Sequence, residues 1–194
     1  MNKRQLIKNC CLLIFATFLT ATMFSMQIQE PKIVYFKDDG VIPNSKLPLL
    51  VYPSAFEGNG DGLAEKIEKT FAANNWINSW RWGVYPFHHY HSNTHEVLGV
   101  YQGTATLLMG GEKGEKLTVK AGDVLIIPAG VGHKCLTHSD DFNVVGAYPN
   151  GLKPDLRKGE PTDRPSADVN INKVPKPATD PIQGKNLGLT RIWK

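Results

Sequence analysis

Residues 83–103 read GVYPFHHYHSNTHEVLGVYQG. His89 and His91 are two apart, so on an extended strand their rings project from the same face. Glu96 follows a short gap and sits at the start of the next β-rich run, where a returning strand can bring its carboxylate to those imidazoles. Further on, residues 122–133 read GDVLIIPAGVGH. There a short apolar strand runs into a Pro-Ala-Gly turn that delivers His133. Two near imidazoles, one carboxylate and a distant imidazole make a mixed nitrogen and oxygen donor set, suited to a borderline divalent transition metal. A single histidine would read as a packed or surface side chain. Four groups at compatible spacing read as ligands, so His89, His91, Glu96 and His133 are the expected metal set.

Outward from this stretch, residues 76–148 form short β-type runs punctuated by glycine and proline. The expected strands are 79–90, 95–101, 104–109, 115–119, 123–127, 134–137 and 142–148, with Gly110-Gly111 and Lys113-Gly114 turning one hairpin. Many short strands with frequent turns indicate a sandwich or barrel. Upstream, residues 32–37 and 49–52 read as two further strands. Leu63, Ile67 and Phe71 recur every four residues behind the Gly-Asn-Gly-Asp-Gly turn at 58–62, predicting one amphipathic helix over 62–74 with Asp61 as its cap. Seven of the 13 prolines fall between Pro149 and Pro181. Residues 150–194 therefore read as an extended Pro-rich tail with little regular structure, whose apolar end (Leu187, Leu189, Ile192, Trp193) must dock on this barrel or a neighbour.

The first 26 residues read differently. Lys3, Arg4 and Lys8 precede an apolar run from Cys10 to Phe24, the pattern of an export signal, with an uncleaved membrane anchor as the alternative. The predicted localisation is periplasmic or secreted. Without the leader the formal charge falls from +4 to +1, so the basic balance describes the leader and gives no nucleic-acid-binding face. Two of the three cysteines leave with it. Cys135 remains alone, no internal disulfide can form, and the fold must rest on its core. The chain thus divides into a leader (1–26), N-terminal strands and helix (27–78), a barrel core (79–149) and the tail (150–194).

At these residues the sequence resembles the cupin superfamily. Gly83, His89, His91, Glu96 and Gly103 fill the first cupin motif, and Gly122, Pro128, Gly130 and His133 fill the second. Thr137 stands where the second motif ends in asparagine, a position that is usually structural. More closely, HHYHSNTHEVLGVYQG, AGDVLIIPAGVGHK and the Pro-rich tail ending near Trp193 resemble the YjlB-like group of small single-domain bacterial cupins. The resemblance implies a mainly β fold, a single double-stranded β-helix (jelly-roll) barrel, with one N-terminal helix and the tail outside it. It implies a metal site strongly and a reaction hardly at all.

Several neighbours of the ligand set are weighed beside it. His95 could replace Glu96 as a ligand, but the spacing from Glu96 to Gly103 favours Glu96. His88 and Tyr90 are out of phase with the ligand pair. Cys135, two residues beyond His133, is expected inward, either as a small core residue or as part of the cavity wall. Counting back by twos from His89 puts Arg81, Tyr85 and Phe87 on the metal face, unless Pro86 breaks the parity. Arg81 is then a candidate for an anionic substrate, while Trp80 and Trp82 read as packing residues. His95, Cys135 and Arg81 are thus the candidate cavity-lining residues.

Three imidazoles and a carboxylate leave two open positions on an octahedral ion. The expected ion is Fe or Mn, with Ni or Zn as alternatives, and the expected partner is a small-molecule ligand. The first functional reading is an enzyme for oxidation, dioxygenation or oxalate-type decarboxylation of a small organic acid, thiol or diketone. The alternative is a non-enzymatic cupin that captures a small ligand or metal. A homodimer is expected by analogy, because cupin barrels leave sheet edges.

Overall fold

The computed structural model describes residues 30–194. The leader expected at 1–26 lies outside the described residues. The elements run β1 (Lys32–Val34), β2 (Leu49–Tyr52), α1 (Asp61–Ala73), β3 (Trp76–Trp82), β4 (Glu96–Gln102), β5 (Thr104–Met109), β6 (Glu115–Lys120), β7 (Val124–Ile127), β8 (His133–His138), β9 (Asn143–Pro149), α2 (Ser166–Lys173) and α3 (Leu189–Ile192). The strands form a six-stranded sheet, in the order β1-β2-β7-β4-β9-β3, and a three-stranded sheet, β6-β5-β8. Adjacent strands pair antiparallel throughout.

Both faces of the large sheet are buried, which is why its central strands read as unbroken apolar runs. On β4, Leu98 and Val100 point into the core between the sheets, with Leu107, Leu125 and Val144. Val97 and Tyr101 point the other way, to Ile67 and Phe71 of α1. Glu96 shares the parity of Leu98 and so falls on the inner face. Gly99 lets the helix close on the sheet: a Cβ there would stand 2.7 Å from Ile67 Cγ2 and 3.2 Å from Phe71 Cζ. Asp61 does not cap α1. Gly60, at φ 71°, holds the cap position without a side-chain bond, and the Asp61 carboxylate lies 3.5 Å from Arg81 Nη1.

The run expected to be strand over 79–90 ends at Trp82. Residues 83–95 are mostly irregular and are tied down by isolated bridges, His89 to His133 and Tyr90 to Arg157. In the β5–β6 turn, Gly110 and Gly111 have φ of 88° and 87°, the left-handed region that glycine enters without strain.

The tail is more ordered than its proline content suggested. It carries α2 and α3, and it docks on its own barrel. Buried Asp180 fastens it, accepting the Tyr52 phenol at 2.7 Å and the backbone N–H groups of Ile182, Gln183 and Leu189 at 2.8–2.9 Å. Trp193, 3% exposed, donates its indole N–H to the Pro48 carbonyl at 2.9 Å. Burying a side chain of that size contributes on the order of 2–3 kcal/mol.

Candidate metal centre

The ligand segment is built by backbone pairing. His89 and His133 exchange both N–H···O bonds, at 3.1 and 2.9 Å, and the Gly130 N–H donates to the His91 carbonyl at 2.9 Å. On the opposite edge, Tyr90 and Arg157 exchange bonds of 2.9 and 3.0 Å. The tail thereby becomes a flanking strand of the histidine pair. The rings of His89 and His133 lie 4.0 Å apart, centroid to centroid. One ligand nitrogen from each of His89, His91 and His133 falls within 4.8 Å of the others, and all three residues are buried. Glu96 is buried beneath them, its Oε2 3.5 Å from His91 Nε2 and 3.3 Å from His133 Nε2.

What makes this a centre is where the other ring nitrogens point. His89 Nδ1 meets the Phe87 carbonyl at 3.4 Å, and His133 Nδ1 meets the Val131 carbonyl at 3.2 Å. His91 Nδ1 is bonded to the Asp155 carbonyl. A carbonyl only accepts, so each Nδ1 carries a proton, and it is Nε2 that each ring turns to the centre, bare when the ring is neutral. The Glu96 oxygen adds a fourth lone-pair donor there, and Glu96 Oε2 is a buried oxygen without a hydrogen-bond donor. Such a focus suits a cation: one proton can bridge only one pair, whereas the three imidazoles together are able to hold a metal ion.

The electrostatics agree. Burial lowers His89 to about 2, helped by His133, so it stays neutral. Burial would raise Glu96, but His91 and His133 outweigh it and hold the carboxyl well below its usual range. Burial likewise opposes charge on His91, yet Glu96 draws a proton to it. A proton and a cation compete for one place.

Glu96 is held from its other oxygen. Tyr148 donates to Oε1 at 3.0 Å, and Trp80 Nε1–H donates to the Tyr148 oxygen at 2.8 Å. The indole reaches that position by lying across Gly146, where a Cβ would come within 2.2 Å of the ring. A cavity of about 280 Å³ opens onto the imidazoles, walled by Trp80, Trp82, Val84, Tyr85 and Leu98 from the barrel, and by Pro154, Asp155 and Leu156 from the tail.

The cupin domain matches residues 83–145 of the chain. The chain is 47% identical over 166 residues to the uncharacterized protein YjlB of Bacillus subtilis (strain 168), covering 85% of this chain and 98% of that protein. The chain belongs to the cupin family. Among solved structures, this cupin is similar to acireductone dioxygenase from Bacillus anthracis with a cadmium ion in its active centre, at 18% identity and TM-score 0.33, over 48% of this chain and 64% of that one. It is also similar to oxalate decarboxylase of Bacillus subtilis, at 19% identity and TM-score 0.35, over 57% of this chain and 27% of that one.

The three candidate wall residues lie elsewhere in this cupin. Arg81 turns away from the cavity to the Glu68 carboxylate on α1, at 2.9 and 2.7 Å. The strand ends at Trp82 and the chain between it and His89 is irregular, which breaks the alternation counted back from His89, so Trp80 and Trp82 face the cavity instead. His95 lies on the outer face, 4.8 Å from the Trp193 ring, and its Nδ1 accepts the Ala129 N–H at 2.9 Å. Burial lowers it to about 4. Cys135 sits in the inner apolar core, its thiol pushed up by burial, below the cavity rather than in its wall. His88 lies outside the cavity, 3.4 Å from Glu112. Sequence reading missed Tyr148, Asp155 and the role of Trp80, which become visible only when β9, the tail and β3 are assembled beside β4.

Proposed function

We propose that this cupin binds one divalent transition metal, Fe or Mn, on His89, His91, Glu96 and His133, and uses it to act on a small organic molecule in the adjoining cavity. The observation that carries the reading is the shared orientation of three imidazoles, each with Nδ1 on a backbone carbonyl, with the Nε2 atoms of His91 and His133 3.5 and 3.3 Å from a buried Glu96 oxygen. When bound, the metal supplies Lewis acidity, and Fe or Mn also supplies redox chemistry, with positions left for substrate. The chain's own residues do the rest. Asp155 fixes the His91 ring through its carbonyl, Tyr148 and Trp80 fix Glu96, and the apolar wall limits water near the reacting group.

Elemental analysis of anaerobically purified protein tests the site. One metal per chain is expected, lost in His91→Ala and retained in His88→Ala. Stoichiometric binding that survives His91→Ala, or no metal after reconstitution, overturns it. Metal addition should also raise the Tm of the wild type, because the ion binds the folded state. Oxygen-uptake and decarboxylation assays on the loaded protein then test for an enzyme against a binder. We further propose that residues 1–26 export the protein, which N-terminal sequencing of the secreted form would show as a shortened chain.

A further inference from the structure

The cavity beside the imidazoles has a pronounced chemical bias. Its wall includes Trp80, Trp82, Val84, Tyr85, Leu98 and Leu156, and no lysine or arginine among the described residues lines it. The nearby cations are committed elsewhere. Arg81 is paired with Glu68 and Asp61, Arg157 with Asp155 and Asp163, and Lys158 lies over the Phe87 ring at 4.8 Å. Two of the polar groups are committed too: the Tyr148 hydroxyl donates to Glu96, and the Asp155 carboxylate accepts from Ser92 and Arg157.

The mouth is apolar as well. Trp82 is 62% exposed and Leu156 is 46% exposed, and both line the opening. These two large side chains come from the end of β3 and from the tail and leave apolar surface in water at one place, as ligand-contacting residues do. Behind Trp82, Tyr85 stands edge-on to it at 5.6 Å and edge-on to the His89 ring at 5.1 Å. An aromatic path therefore leads from solvent to the imidazoles.

Charge counting points the same way. A divalent ion with three neutral imidazoles and the Glu96 carboxylate leaves one net positive charge. A ligand with one ionisable oxygen fits that balance. A small dicarboxylate carries two charges against that one, and the apolar wall offers the excess no cationic partner besides the ion itself.

We propose that the cavity takes a ring compound bearing a single oxygen donor, of the phenol or enol class, with its ring against Trp80, Trp82 and Tyr85 and its oxygen toward the focus of His89, His91 and His133. This rests on the metal reading above for the oxygen end only; the ring end rests on the wall. It argues against oxalate-type substrates, which the donor set alone leaves open.

The test is calorimetry of the manganese-loaded protein with 2-naphthol and with oxalate, alongside elemental analysis of the same samples. Expected is 2-naphthol binding at least about tenfold tighter than oxalate. Trp82→Ala should weaken 2-naphthol by at least about threefold while metal content and the Kd for oxalate are unchanged. Oxalate binding as tightly as 2-naphthol, 2-naphthol failing to bind up to its solubility limit, or Trp82→Ala leaving its Kd unchanged would each overturn the assignment. A protein that retains no manganese yet still prefers 2-naphthol overturns the metal reading and leaves the cavity assignment standing, so the two failures are separable.

Discussion

His95 and the triad histidines are the same residue type at similar depth, yet they present opposite chemistry. His91, His133 and His95 are 8%, 1% and 2% exposed. Each triad ring meets a carbonyl at Nδ1. His95 meets a backbone N–H there, so its proton sits on Nε2 and its only lone pair is already used. The backbone group at Nδ1, more than burial or ring position, separates a structural histidine from one that can hold a cation. The two faces of β4 follow that division: His95 is packed under Trp193 on the outer face, and Glu96, its chain neighbour, is under the imidazoles on the inner face.

Substitution at both kinds of histidine tests this contrast with the largest effect. His133→Ala should weaken metal binding by at least about 100-fold. His95→Ala should keep one metal per chain and lower stability by roughly 2 kcal/mol, because it strands the Ala129 N–H and opens a gap beneath Trp193. Elemental analysis with urea denaturation reads both; equal metal loss in the two variants would break the comparison.

A second pair contrasts the two faces through glycine. Gly99→Ala, on the outer face, should cost about 2 kcal/mol as it pushes Ile67 and α1 away, with metal retained. Gly146→Ala, on the inner face, should cost a similar amount and also weaken metal about tenfold, because the displaced Trp80 releases Tyr148. Identical metal affinities in these two variants would show that the indole is packing only. Tyr148→Phe isolates the same link without a volume change. It should lower metal affinity by about tenfold and lower the stability of the metal-free protein by roughly 1–3 kcal/mol, because it strands Glu96 Oε1 and the Trp80 N–H. The smallest effect is expected at Cys135→Ala: about 1 kcal/mol of stability, with metal and ligand binding at wild-type values. Altered metal affinity there would put the thiol nearer the centre than its core packing indicates.

The barrel strands were legible because glycine and proline punctuate them, and the motif glycines mark where hairpins turn. The helix at α1 was legible to within a residue at each end, since Leu63, Ile67 and Phe71 keep its period. Helix α2 was not, because it buries only Ala167 outright, too weak a stripe to show through a proline-rich context. Arg81 was misplaced because parity counting assumes an unbroken strand from Arg81 to His89, and the chain loses regularity after Trp82. Cys135 does face inward, as its phase with His133 requires. Parity cannot report depth, however, and the inner face has an apolar half and a polar half. Tyr148 was invisible because its partnership with Glu96 spans 52 residues and depends on which strands become neighbours.

The flanking strand at 155–157 has a consequence for biosynthesis. A nascent chain that has emerged only as far as β9 already possesses all three imidazoles. It lacks the Asp155 carbonyl that selects the His91 tautomer, and it lacks Leu156 of the cavity wall. The centre is therefore completed by the tail, and a product truncated before Asp155 is expected to hold a metal ion less tightly than the full chain.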